Sequence, residues 1–127
     1  MRSLRTGDDV LESVRIWSKL DSIQKHDALA MLYGLTETEA LAYFSLLEEG
    51  AINVNELRGK LGRDRTTVQR TLAKLVRENL AQRRKINLAK GGIKYCYEAV
   101  PFSIVKQEMT RRLESWYSLS KTRIQEL

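Results

Sequence analysis

The chain contains one cysteine, Cys96, and one histidine, His26. A single thiol excludes an internal disulfide, and two soft ligands are too few for a structural zinc site, so no metal centre is expected. This usage fits a reducing, cytoplasmic setting. No apolar run approaches the roughly 20 residues that span a bilayer, and the opening MRSLRTGDD lacks the apolar core of a secretory signal. A soluble protein without membrane association is expected. Internal repeats and low-complexity stretches are absent.

Arrangements for catalysis are equally scarce. No nucleophile or carboxylate is spaced to meet His26, and Asp8-Asp9 and Glu48-Glu49 are neighbours whose side chains diverge on a helix. Gly91-Gly92 lacks the strand-to-helix setting of a phosphate-cradling loop and reads as a turn. No catalytic residue, cofactor or small-molecule effector is assigned, and an enzyme is not expected. Cys96 alternates with Tyr95 and Tyr97 and reads as a small half-buried hydrophobe.

What the chain does have is positive charge, unevenly placed. Its 127 residues, 43% of them hydrophobic, suffice for one core, and 22 Lys and Arg against 16 Asp and Glu give a net charge of +6. Residues 1–50 hold five basic and nine acidic side chains, a net −4. Residues 51–100 hold twelve and four, a net +8, and residues 101–127 hold five and three, a net +2. A polyanion-binding surface belongs in the middle segment.

From Asp8 to about Tyr33, apolar residues at Val10, Val14, Trp17 and Leu20, and later at Leu29 and Leu32, fall at spacings of three and four, as one long helix or two. Asp21 with Gln24 offers a cap for a second helix, and Gly34 a stop. Thr36 with Glu39 forms a capping box ahead of Ala40, Tyr43, Phe44, Leu46 and Leu47, and Gly50 ends that helix. Asn53 with Glu56 repeats the signature before a short helix closed by Gly62. Asp64 caps a third helix, Arg65 to about Asn79, with Val68, Leu72, Leu75 and Val76 on one face. Leu80 to Leu88 and Ile93 to Val100 are extended segments joined by Ala89-Lys90-Gly91-Gly92, with Tyr95, Tyr97 and Ala99 on one face. After Pro101 a final helix carries Val105, Met109, Leu113, Trp116, Tyr117, Ile124 and Leu127. Trp17 and Trp116 fall at core spacing, against each other or across a subunit boundary.

Helix, short helix, glycine turn, helix and hairpin, in that order, make a winged helix-turn-helix unit. The predicted fold is mainly α with a small β-hairpin, organised as an N-terminal helical extension (1–33), the winged unit (34–101) and a C-terminal helix (102–127). GLTETEALAYFSLLEEG (34–50), NELRGKLGRDRTTVQRTLAKLVRENL (55–80) and the Gly91-Gly92 hairpin resemble archaeal winged-helix transcription regulators, especially the DNA-binding domain of the TrmB family. The resemblance covers about residues 34–101. It implies double-stranded DNA as partner, the third helix of the unit as recognition helix and the hairpin as wing. Members of that family commonly carry a large C-terminal effector-binding region, whereas one helix follows the hairpin here, so a sugar-sensing role is not carried over.

The residues themselves point the same way. Opposite its apolar face the third helix presents Arg65, Thr66, Thr67, Gln69, Arg70, Lys74 and Arg77, with no acidic residue from Arg65 to Arg77. These are donor types suited to base edges in the major groove and to phosphates. Arg65 and Gln69, four apart, are expected to share the row that faces bases, and Arg70, beside Thr66 and Thr67, to anchor phosphate. On the hairpin, Arg83, Arg84, Lys85, Lys90 and Lys94 form a cationic cluster for backbone or minor groove. The terminal helices carry more apolar stripe than one small domain needs, so a homodimer through either or both is expected. The alternative is a winged helix that binds protein in a transcription or RNA-handling assembly. Such a module has no need of a basic recognition face.

Overall fold

The computed structural model describes residues 24–127. The stripe from Val10 to Leu20, the Asp21 cap and Trp17 lie outside the described residues. Five helices and one hairpin follow in chain order: α1 (Lys25–Tyr33), α2 (Glu37–Glu49), α3 (Val54–Leu61), α4 (Arg65–Arg77), β1 (Ala81–Asn87), β2 (Ile93–Ala99) and α5 (Phe102–Gln125). This is the mainly helical winged unit that the spacing predicts. Among the described residues, no helix is long and apolar enough to cross a membrane.

Local chemistry sets most of the boundaries. Both capping boxes form: Thr36 and Asn53 each accept from the backbone N–H three residues on, and Glu39 and Glu56 each accept from the cap's own N–H. Two of the donors that a helix start leaves open are thereby satisfied each time. The N-cap of α1 is Gln24, with no side-chain hydrogen bond. Helix α4 ends at Arg77, two residues short of expectation, because Asn79 takes a left-handed conformation (φ 61°) and the Leu80 N–H turns back to the Leu75 carbonyl. Asparagine replaces the more usual glycine in this helix stop.

The core lies where α1, α2, α3 and α4 converge with the base of the hairpin. Leu29, Ala40, Tyr43, Leu46, Leu57, Val68, Leu72, Leu75, Leu80 and Val105 are all buried in one cluster. Strands β1 and β2 pair antiparallel from Ala81 opposite Ala99 to Asn87 opposite Ile93. Ile52, between α2 and α3, exchanges two backbone hydrogen bonds with Tyr97, so β2 is flanked on both sides near its end. Tyr97 and Ala99 pack against the core, as their alternation predicts, while Tyr95 is exposed nearer the tip. Cys96 is buried.

Helix α5 contributes Phe102, Val105 and Met109 to the core, then continues with no buried residue to its end. Trp116 is 65% exposed and takes no part in the core. The three-to-four apolar spacing of α5 thus continues past the last of its residues that pack on the core among the described residues.

Tyr43 ties these parts together. It is fully buried, meets Phe44 edge-on at 5.1 Å between ring centres, and its hydroxyl donates to the Val100 carbonyl at 2.8 Å, beside the start of α5. Burial pushes that hydroxyl above its ordinary pKa, so it remains a donor. Tyr43→Phe is expected to preserve the packing and leave a carbonyl without its donor, lowering stability by about 1–2 kcal/mol in urea unfolding. An unchanged midpoint would show that water replaces the donor.

Candidate nucleic-acid interface

The orientation of α4 follows from what it buries. Val68, Leu72 and Leu75 have no accessible surface, and Thr71 is also buried, a polar position that the apolar pattern did not reveal. Successive residues turn by about 100°, so the direction opposite these four is occupied by Thr66, Arg70, Ala73 and Arg77. All four are exposed. Arg70 therefore stands on the crest of the helix, and Arg65 and Gln69 on one flank. Arg65 and Gln69 are both exposed, as expected of a shared row, and that row lies beside Val68 and Leu72 on the wheel, to one side of the crest. Thr67 and Lys74 occupy the other flank and are partly buried.

The N-terminal end of α4 is organised by side chains. Asp64 accepts from both the backbone N–H and the hydroxyl of Thr67. The Thr67 hydroxyl is thus spent on the cap, and its hydrogen bond, the largest cause, holds the Asp64 carboxyl below its ordinary pKa. Arg65 donates to the Asn55 side chain of α3 at 2.8 Å, which steers its guanidinium across the helix-turn-helix junction. Arg63, just before the cap, donates to Thr38 at 3.4 Å. Nothing in the spacing alone signals the Asn55–Arg65 pair.

The hairpin sorts its cations by face. Side chains alternate along a strand, so Arg83 and Lys85 share one face and Arg84 and Lys94 the other. On the first face, Arg83 stacks on Tyr95, 4.5 Å from guanidinium carbon to ring centre. On the second, Arg84 pairs with Glu98 at 3.2 Å. The cationic run Arg83-Arg84-Lys85 is therefore not one cluster, and Arg84 has its charge partly answered within the protein. Lys90 is central in the turn closed by the Gly91 N–H to the Leu88 carbonyl, exposed and away from any carboxylate pairing among the described residues.

Helix and wing enclose a groove of about 510 Å³, lined by Asn53, Asn55, Arg65, Gln69, Arg83 and Lys94 together with Tyr95 and Tyr97. The structure thus brings Arg65, Gln69 and Arg83 to one concavity, with Lys94 at its edge on the other hairpin face and Thr66 and Arg70 on the adjoining crest. It leaves Lys85 and Lys90 further out along the wing, Lys74 on the far flank, and Arg84 on the opposite hairpin face. Arg77, at the far end of the crest, completes a helix surface without acidic residues. Among the described residues there is no group of three or more His, Cys, Asp and Glu that could hold a metal.

Residues 29–103 match the family described as the sugar-specific transcriptional regulator TrmB. Two uncharacterized proteins of Methanocaldococcus jannaschii are similar. One is 38% identical over 102 residues, 80% of this chain and 84% of the relative. The other is 32% identical over 99 residues, 78% of this chain and 75% of the relative. Among solved structures, a possible transcriptional regulator from Methanosarcina mazei aligns with a TM-score of 0.72 at 25% identity, over 82% of this chain and 88% of that one.

The turn that delivers α4 makes a checkable demand on its sequence. Gly62 has φ +63°, yet a Cβ there would meet nothing within 4 Å, whereas Gly59 inside α3 has no such φ and equally open space. Gly62→Ala is expected to cost about 1–2 kcal/mol from backbone strain alone. Gly59→Ala is expected to stabilise by roughly 0.5–1 kcal/mol. Equal effects of the two substitutions in denaturant unfolding would contradict the turn geometry.

Proposed function

This chain belongs to the TrmB family of transcriptional regulators, and from that premise we propose that it binds double-stranded DNA sequence-specifically, as a homodimer, with α4 in the major groove. The observation that carries the proposal is the exposed, acid-free crest of α4, Thr66, Arg70, Ala73 and Arg77, set beside a cationic groove. Arginine at the crest can pair with both acceptors of guanine, while the threonine and alanine methyl groups suit a thymine methyl. Gln69, on the flank, is placed for the next base pair. Arg65, steered by Asn55, serves as a phosphate anchor beside the wing.

The wing takes the backbone or the minor groove. Lys85, Lys90 and the Arg83–Tyr95 stack are the contacts assigned to it, and Lys94 lines the groove behind. Arg84 is a weaker contributor, because leaving Glu98 offsets what a phosphate would give. Residues 34–101 form the DNA-binding unit in this reading. The flanking segments, 1–33 and 102–127, serve association.

The association surface is the outer half of α5. A helix of 24 residues is about 36 Å long. Beyond Met109 its side chains Leu113, Trp116, Tyr117 and Ile124, with Leu127 after it and Met31 on α1 beside it, are exposed. Large apolar and aromatic side chains of this kind are what the ~800 Å² that each partner buries in a stable interface is built from. A second copy, meeting the same stripe about a two-fold axis, covers it without needing any other complementary surface.

Base reading and backbone anchoring separate experimentally. Arg70→Ala is expected to cost roughly 1–3 kcal/mol on a selected site and little on a scrambled one at equal salt, while Arg65→Ala weakens both alike. Equal losses for Arg70→Ala on the two duplexes would remove the crest from base recognition and favour a protein-binding role for this face.

The wing is tested by salt. Lys90→Ala is expected to reduce the slope of log affinity against log salt by about one unit, and Arg84→Ala by clearly less, with site preference retained in both. Equal reductions would mean that the Arg84–Glu98 pair opens on DNA at no cost.

A further inference from the structure

One side chain on α5 reaches both α1 and the end of α4. Arg112, on α5, donates from Nε to Glu108 one turn earlier at 3.2 Å. One terminal nitrogen donates to the Leu32 carbonyl in the last turn of α1 at 3.3 Å. That carbonyl is among those a helix leaves without an internal donor, at the negative end of its dipole. The guanidinium carbon lies 3.8 Å from the centre of the Tyr33 ring. The other terminal nitrogen is 3.9 Å from the Glu78 carboxylate, and Glu78 is the C-cap of α4, directly after Arg77.

The set is directional. A planar guanidinium can stack on a ring while its edge engages two carboxylates and a carbonyl, and a lysine cannot reproduce that arrangement. Arg112 is only about one-third exposed, so these contacts are screened less than those of a free surface ion. Glu78 is itself on a stiff corner, since Asn79 turns left-handed immediately after it and Leu80 is buried. The hub therefore links a fixed end of the proposed recognition helix to the helix assigned to subunit contact.

In a dimer, the separation and angle of the two base-reading helices depend on how each α4 is fixed to its own α5. We infer that Arg112 is a positioning residue that fixes this relation, so that it governs which half-site spacing the protein accepts and not which bases it reads. The inference rests on the reading of α5 as the subunit contact.

Full-length protein is compared as wild type, Arg112→Met and Glu78→Gln. The duplexes carry one half-site from a selected sequence, or two at centre-to-centre spacings from about 8 to 13 base pairs, bracketing one helical turn. Met keeps an apolar stem against Tyr33, and Gln at position 78 changes charge without changing shape, so the second variant decides the matter if the first does not fold by circular dichroism. Both variants are expected to bind the single half-site within about twofold of wild type. On paired sites they lose about tenfold at the wild-type optimum and show a broader or displaced optimum, in the range by which residues linking two sites alter coupling. A folded variant with the wild-type spacing profile overturns the positioning role alone, as does an equal loss on single and paired sites. A wild type indifferent to spacing overturns it together with the paired-site reading.

Discussion

The face that α4 buries constrains everything else on this molecule. Burying a leucine or valine side chain stabilises by roughly 1.5–3 kcal/mol, and α4 buries Val68, Leu72 and Leu75 completely. Rotating the helix by one residue would expose most of that set, at a cost of several kcal/mol. An exposed ion pair contributes about 0–1 kcal/mol, so no surface contact could reverse the choice. Hydrophobic burial thus selects the crest, and the charges on it act from an orientation they did not determine. The capping boxes, the left-handed turn at Gly62 and the Ile52–Tyr97 exchange hold α2, α3 and the wing in fixed relation to that buried row.

Around this frame the cations differ in what they are free to do. Lys60 is matched by Glu49 at 2.7 Å, and Arg84 by Glu98. Arg65 is steered by Asn55, Arg83 by Tyr95 and Arg112 by Glu108, Leu32 and Tyr33. The net +8 of residues 51–100 is therefore an upper bound on what a polyanion meets, and the effective surface is concentrated on α4 and one face and the tip of the hairpin. Partly answered charges also fix direction, which lets an arginine meet an acceptor with less loss of side-chain freedom on binding.

Much of this was legible in the residues because it depends on short-range chemistry. Thr36 with Glu39 and Asn53 with Glu56 announce their helix starts at a separation of three, and Gly34, Gly50 and Gly62 mark the stops. The acid-free interval from Arg65 to Arg77 is visible in one pass. What escaped depends on contacts between distant positions, such as Arg84 with Glu98 across the hairpin and Arg112 with Leu32, 80 residues away. Thr71 escaped because a hydroxyl gives no apolar signal even when buried. Strand alternation divides Arg83 and Lys85 from Arg84, and the helix wheel sets Arg65 and Gln69 beside the crest, but which neighbours each then meets depends on the tertiary fold. Trp116 shows the converse limit, since helical spacing identifies an apolar stripe without saying whether its cover comes from the same chain.

The most direct test of a symmetric, base-reading α4 is selection of bound sites by the full chain from a pool of random duplexes at near-physiological salt. The expected result is enrichment of two inverted half-sites, each a few base pairs, with centres separated by about one helical turn or a multiple of it. Recovery of an asymmetric motif would contradict the paired arrangement, and recovery of no motif at all would contradict base recognition by α4.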